Sequence, residues 1–311
     1  MNTKKIKILL KFVITIGIFI ILFNLFDIKK ITELISHISF LNILLILSTW
    51  FISIIIANIR WYILVIPFKK VNFIFLLKTY LIGFFFNTFL PSSIGGDFYR
   101  IFKLYKKTDS KTDAGASVFI ERLIGFLAIA MIAFISLFFI QNNKLLKQFG
   151  VLTGITFACL IVIFFLSLNT KFINLLNKIF IKIHFLGIGE KLTLFLDKLN
   201  SYKDFKKNLI ISFILSIIYQ LIVVLTFYIT AIALQINISY FLLVIFVSLM
   251  SIITLIPVSI GGLGIREGTF AVLFKLTGHQ PESGLALSII FTFLTSIVHL
   301  SGGYFYLFKN E

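Results

Sequence analysis

Six ionisable side chains lie where charge is most costly in this chain. Asp97, Arg100, Glu121, Arg122, Arg266 and Glu267 all fall within or beside apolar runs. An ionised group at a bilayer centre costs at least ~2.5 kcal/mol on insertion scales, so these three acids and three bases should face inward and pair. Four of the six belong to a motif that occurs twice, 166 residues apart. The first copy reads Pro91-Ser92-Ser93-Ile94-Gly95-Gly96-Asp97-Phe98-Tyr99-Arg100. The second reads Pro257-Val258-Ser259-Ile260-Gly261-Gly262-Leu263-Gly264-Ile265-Arg266-Glu267. Pro, Ser, Ile, Gly-Gly and Arg keep the same offsets in both.

The chemistry these residues fit is anion recognition. Proline ends the incoming helix, and Gly-Gly lets a ligand approach the main chain. The next helix then starts with free N–H groups and a positive dipole end. Ser92, Ser93 and Ser259 add hydroxyl donors, and a phosphate or carboxylate suits such a start. Arg100 and Arg266 lie one turn inward and can grip a phosphate with two parallel hydrogen bonds. The expected phosphate site is therefore Ser92, Ser93, Gly95, Gly96 and Arg100 from one copy, with Ser259, Gly261, Gly262 and Arg266 from the other. Asp97, Glu121, Arg122 and Glu267 are expected to form supporting ion pairs, Asp97 having a helix cap as its alternative role. A simpler reading has the glycines only permitting close helix packing.

Little else in the chain can carry chemistry. No phosphate-binding Gly-x-x-x-x-Gly-Lys loop is present. Cys159 is the only cysteine, and His37, His184, His279 and His299 share no ligand spacing. No disulfide, metal site or cofactor is expected.

The elements that must position the motifs are membrane helices. Of 311 residues, 59% are hydrophobic and 13% charged, with a mean hydropathy of +1.07. No soluble domain has such a composition. Apolar runs predict six full spans at about 8–26, 40–66, 116–140, 150–168, 208–236 and 284–308. Two further runs, 73–90 and 240–256, stop at the motifs, and shorter helices follow at roughly 97–107 and 264–276. The first run is long and lacks a small-residue cleavage site, which argues against a signal peptide. Trp50, Trp61 and Tyr62 read as interfacial belt residues.

Lysine placement decides how the broken helices run. If 73–90 crossed alone, Lys103, Lys106, Lys107, Lys111 and the basic segment 171–207 would leave the cytoplasm, against the positive-inside rule. If 73–107 dips in and turns back, they stay inside with both termini. The second motif then dips from the opposite face, as an inverted repeat requires. The expected fold is an all-α integral membrane protein of about six full transmembrane helices plus two re-entrant broken-helix hairpins. It is one polytopic domain over 1–311, with halves at about 38–168 and 208–308. The connector at 169–207 is basic and amphipathic, Phe172, Leu175, Leu176 and Ile179 recurring opposite Lys171, Lys178 and Lys182. It suits an anionic inner leaflet. The net charge of +17 is topology rather than a nucleic-acid signature.

The segments 86–100, Glu121-Arg122-Leu123 and 256–268 resemble the transmembrane, flippase-like region of lysylphosphatidylglycerol synthases. The resemblance extends to an uncharacterised family of inner-membrane proteins and covers nearly the whole chain. It implies a plasma- or inner-membrane location and a role in moving lipid between leaflets. In full-length synthases a separate soluble domain attaches lysine, and archaeal relatives are linked to sugars on polyprenyl-phosphate lipids. Lipid phosphate is the common element. This sequence ends at Glu311, after its last span and without that soluble domain.

Three functions compete at this point. The first is a translocase or binder of an anionic phospholipid or polyprenyl-phosphate lipid. The second is a membrane-embedded transferase, a phosphatidylglycerol lysyltransferase by family name, with Asp97, Glu121 or Glu267 as general base. The third is a scaffold that docks a partner enzyme through 171–207.

Overall fold

The computed structural model describes Glu33 and residues 38–89, 94–138, 144–182, 187–254 and 262–308. The expected span at 8–26, the prolines of both motifs, Ser92, Ser93, Ser259 and Gly261 lie outside the described residues. The helices are α1 (Phe40–Val65), α2 (Phe73–Phe89), α3 (Ile94–Thr108), α4 (Lys111–Leu137), α5 (Lys144–Leu168), α6 (Thr170–Phe180) and α7 (Ile188–Ser201). A 3-10 turn (Tyr202–Phe205) leads to α8 (Lys206–Ala233), α9 (Tyr240–Ile253), α10 (Ile265–Leu276) and α11 (Pro281–Phe308). The chain is an all-α integral membrane protein. Among the described residues, α1, α4, α11 and the stretch Ile188–Ala233 that ends in α8 are long and apolar enough to cross a bilayer. The apolar α5 bends by 80° into α6 at Asn169. In α2 and α9 the apolar stretch is shorter than a full span.

Side-chain caps set several helix starts. Asn72 Oδ1 accepts from the amides of Ile74 and Phe75 ahead of α2. Ser39, Ser110 and Ser239 cap α1, α4 and α9 through their hydroxyls. The Ser110 cap starts α4 at Lys111, earlier than hydropathy alone indicates, so Glu121 lies about three turns inside the helix.

Both broken segments fold back on themselves. α3 runs antiparallel to α2, with Lys107 over the Phe75 ring, Gly96 against Gly83, and Tyr99 beside Phe86. α10 likewise returns along α9, with Phe274 beside Phe246 and Gly262 against Thr254. The hairpins pack reciprocally: α2 lies on α11, while α9 lies on α4. Between them α1 and α8 form the most extensive helix pair, antiparallel from Thr49–Thr226 through Arg60–Ser216 to Ile63–Asn208.

The core departs from a plain apolar filling. Trp61 is fully buried and Trp50 is 7% exposed. Neither is an interfacial belt residue: the Trp61 indole donates to Ser117 Oγ (3.2 Å) and that of Trp50 to His299 Nε2 (3.1 Å). Phe227 stacks between Phe291 and Phe270, at centroid distances of 3.6 and 5.0 Å.

The connector divides by face. α7 is held by protein: Phe195 packs on Phe119, Lys198 pairs with Asp113 (2.9 Å), and Tyr202 donates to the Leu64 carbonyl (3.0 Å). α6 pairs with α7 through Thr170–Asn200 and Asn177–Asp197 but leaves Leu175 and Ile179 more than half exposed.

Candidate functional site

The buried charges gather around one carboxylate. Glu121 is fully buried on α4. Its Oε1 pairs with Arg60 Nη2 from α1 and accepts from the Tyr80 hydroxyl of α2 (3.1 Å). Its Oε2 accepts from Arg100 Nη2 of α3 (2.7 Å). Four helices therefore meet on one side chain. Arg100 Nη1 reaches Asp97 Oδ1 (3.1 Å), and the guanidinium sits in the corner formed by the rings of Trp61 (4.2 Å) and Tyr80 (4.1 Å). These two ring contacts add cation–π attraction to the two ion pairs. Asp97 in turn receives Arg122 bidentately, Nε to Oδ2 and Nη2 to Oδ1, both at 2.8 Å. Asp97 thus links α3 to α4 rather than only capping its own helix.

Glycines make this convergence sterically possible. A Cβ on Gly96 would fall 2.1 Å from the Gly83 carbonyl oxygen, and the Gly96 amide is taken by Asn87 Oδ1 (2.8 Å). Gly95 stands beside it in the first turn of α3. Gly125 leaves room for Arg60 Nη1, which would lie 3.3 Å from an added Cβ.

The second motif has a different set of partners. Gly262 and Gly264 adopt φ of +77° and +82°, the left-handed region open to glycine. Glu267 Oε2 accepts from the Gly264 amide (2.6 Å), closing the start of α10. Its Oε1 faces the hydroxyls of Ser288 (3.5 Å) and Thr292 (3.3 Å). Arg266 Nη1 donates to Thr292 Oγ1 (3.0 Å). Equal offsets in sequence therefore lead to unequal surroundings: Arg100 lies between two carboxylates, whereas Arg266 meets a neutral hydroxyl of α11.

A cavity of about 370 Å³ opens among α1, α2, α4, α8, α9 and α11. Arg60, Arg122 and Arg266 line it, and no Asp or Glu does among the described residues. Ser216, Tyr219 and Gln220 of α8 face it, as do Thr292, Thr295 and Ser296 of α11, with Phe126, Phe227 and Phe291 as apolar wall. Arg122 has its Nε and Nη2 on Asp97, which leaves Nη1 for an occupant. His299 also lines the cavity. Its Nε2 accepts from Trp50, so the proton sits on Nδ1, directed at Thr88 Oγ1 (2.7 Å).

The structure thus brings Asp97, Arg100, Glu121 and Arg122 into one network and sets Gly262 and Arg266 in the cavity wall. Glu267 lies behind that wall, tied to the start of α10. Arg100 and Gly96 are not among the cavity-lining residues. Arg60, Tyr80 and Gln220 were not singled out from the sequence. Arg60 carried a usable signal, a guanidinium inside an apolar run, and it changes the charge count: four arginines stand against three acids, not three against three.

Comparisons with known proteins set the chain among membrane proteins. The UPF0104 membrane protein MJ1078 of Methanocaldococcus jannaschii is 29% identical over 237 residues, spanning 73% of this chain and 95% of that protein. No solved structure matches the chain. Residues 8–303 match the family described as the lysylphosphatidylglycerol synthase TM region. With that match extending over both motifs and every helix from α1 to α10, the chain belongs to the family of lysylphosphatidylglycerol synthase transmembrane regions.

Proposed function

We propose that the chain binds a membrane lipid by its phosphate in the cavity between the halves and passes it between leaflets. One observation carries this reading: among the described residues, three guanidiniums and no carboxylate line the site. Excess positive charge in a partly apolar cavity calls for an anionic occupant. The volume suits a phosphate and a small head, with the acyl chains left in the bilayer. Arg266 and the Nη1 group of Arg122 are the phosphate ligands, and Arg60 adds charge from behind. Arg100 holds the wall that presents Arg122. The halves at about 38–168 and 208–308 rock around this site. The termini are cytoplasmic, and α6 rests on the anionic inner leaflet through Leu175, Ile179 and its lysines.

The carboxylates favour binding over group transfer. Glu121 accepts from two arginines and a tyrosine, Asp97 from two arginines, and Glu267 from a backbone amide. A general base needs an oxygen turned toward the substrate, and these are turned toward the protein.

The test is transport of fluorescent phosphatidylglycerol in proteoliposomes. Replacing Arg266 and Arg122 together with glutamine should lower the rate roughly tenfold or more, as loss of charge-assisted phosphate contacts predicts. An unchanged rate in a double variant that melts like the parent would defeat the site.

A further inference from the structure

Among the described residues of the cavity wall, His299 of α11 is the one group of a type that exchanges a proton near neutral pH. The other ionisable groups there are Arg60 of α1, Tyr80 of α2, Arg122 of α4, Tyr219 of α8 and Arg266 of α10. Arginine and tyrosine side chains ordinarily hold one charge state across that range. The imidazole is 8% exposed and tied to two other helices. Its Nε2 accepts from the Trp50 indole of α1, and its Nδ1–H donates to Thr88 Oγ1 of α2. The Thr88 hydroxyl in turn donates to the Phe84 carbonyl (3.0 Å), and the Phe84 ring stacks on the imidazole at 4.9 Å. This chain of donors suits the neutral ring alone, because a proton on Nε2 would set N–H against N–H at Trp50. α1 and α2 thus present neutral groups to the ring, while the charge that acts on it is Arg266 of α10. A like charge opposes a second one, and an anion seated on Arg266 lifts that opposition.

We propose that His299 takes up one proton from solvent when a phosphodiester lipid enters the cavity, so that lipid and proton bind as a pair without net charge. This coupling rests on the phosphate reading above. The proton goes to Nε2, and the ring parts from Trp50 to turn that N–H toward the anion. His299 is then a proton carrier, separate from the arginines that hold the phosphate, and lipid flux answers to a pH gradient rather than to membrane potential.

Calorimetric titration of the full chain in detergent with short-chain phosphatidylglycerol tests this, run in two buffers of different ionisation enthalpy to count protons. The phosphodiester itself stays ionised throughout. The parent should take up roughly half a proton or more per lipid bound near neutral pH. The ring is charged only with lipid present, so binding is tightest in acid and affinity should fall by about tenfold from pH 6 to pH 8. In His299→Gln the amide can still accept from Trp50 and donate to Thr88 but holds no extra proton, so the count per lipid should drop to near zero. Lipid binding by the parent with no proton uptake and no pH dependence overturns the coupling and leaves the phosphate site standing. An undiminished count in His299→Gln overturns the role of His299. So does loss of all binding in a His299→Gln chain that melts like the parent, which would make the ring a lipid ligand. Absence of lipid binding by the parent at every pH defeats the phosphate site and the coupling with it.

Discussion

Glu121→Gln lowers the stability of the purified chain by about 3–5 kcal/mol, the cost of leaving a buried ion pair without one partner. The substitution keeps the shape of the side chain and removes the one charge shared by Arg60 and Arg100. Both guanidiniums are buried, Arg100 against the rings of Trp61 and Tyr80. Arg60 then keeps its desolvation penalty without its carboxylate partner, and Arg100 is left with Asp97 alone. The expected readout is a fall of roughly 10 °C in apparent melting temperature in detergent. Replacing Arg60 with methionine in the same chain should restore part of the loss, because removing both members of a buried pair costs far less than removing one. Parent-like melting of Glu121→Gln would show that the carboxylate does not hold the four helices together.

Gly302→Leu is expected to prevent α11 from packing on α2. α11 crosses α2 backbone to backbone here, and an added Cβ would lie 2.2 Å from the Leu81 carbonyl oxygen and 2.9 Å from the Ile82 nitrogen. Neither group can move without displacing a helix. Close approach at glycine is how membrane helices gain dispersion contact where lipid gives no hydrophobic drive. Separation at this point would also pull His299 on α11 from Trp50 and Thr88. Even Gly302→Ala should cost 1–3 kcal/mol, the usual range for overpacking a full site. Gly115→Ala is the control, because its Cβ would meet the Phe195 ring at 3.5 Å, an ordinary contact. Size-exclusion profiles and melting curves of the three variants decide the matter. Gly302→Ala behaving like Gly115→Ala would count against the crossing.

The helices were legible because hydropathy reports them directly. The predicted limits of α2, α9 and α10 fall within three residues of those observed, since a proline and a glycine pair interrupt the periodicity. The sharp bend at Asn169 matches the point where continuous apolarity gives way to a lysine-flanked stripe. Arg60 was hidden by the same averaging: a single guanidinium hardly alters the hydropathy of a run like α1. The tryptophans were misread for a related reason. Composition places an indole at an interface, but only the fold can bring Ser117 or His299 within reach of its N–H. The two motif arginines show a deeper limit. Spacing fixes where each stands on its helix, while its environment depends on α4 or α11 opposite, where one supplies Glu121 and the other Thr292. No local pattern around either motif encodes that difference.

The meeting of Arg60 and Glu121 constrains how the molecule is made. These residues are 61 positions apart, and synthesis delivers the arginine first. A lone guanidinium within an apolar helix is penalised, yet the leucines and isoleucines around it outweigh that penalty on insertion scales. α1 can therefore enter lipid as an unfinished piece, still lacking its counter-ion. Arrival of α4 then discharges the waiting cation, so biogenesis acquires a direction: an early helix is stored at tolerable cost and a later one locks it in place.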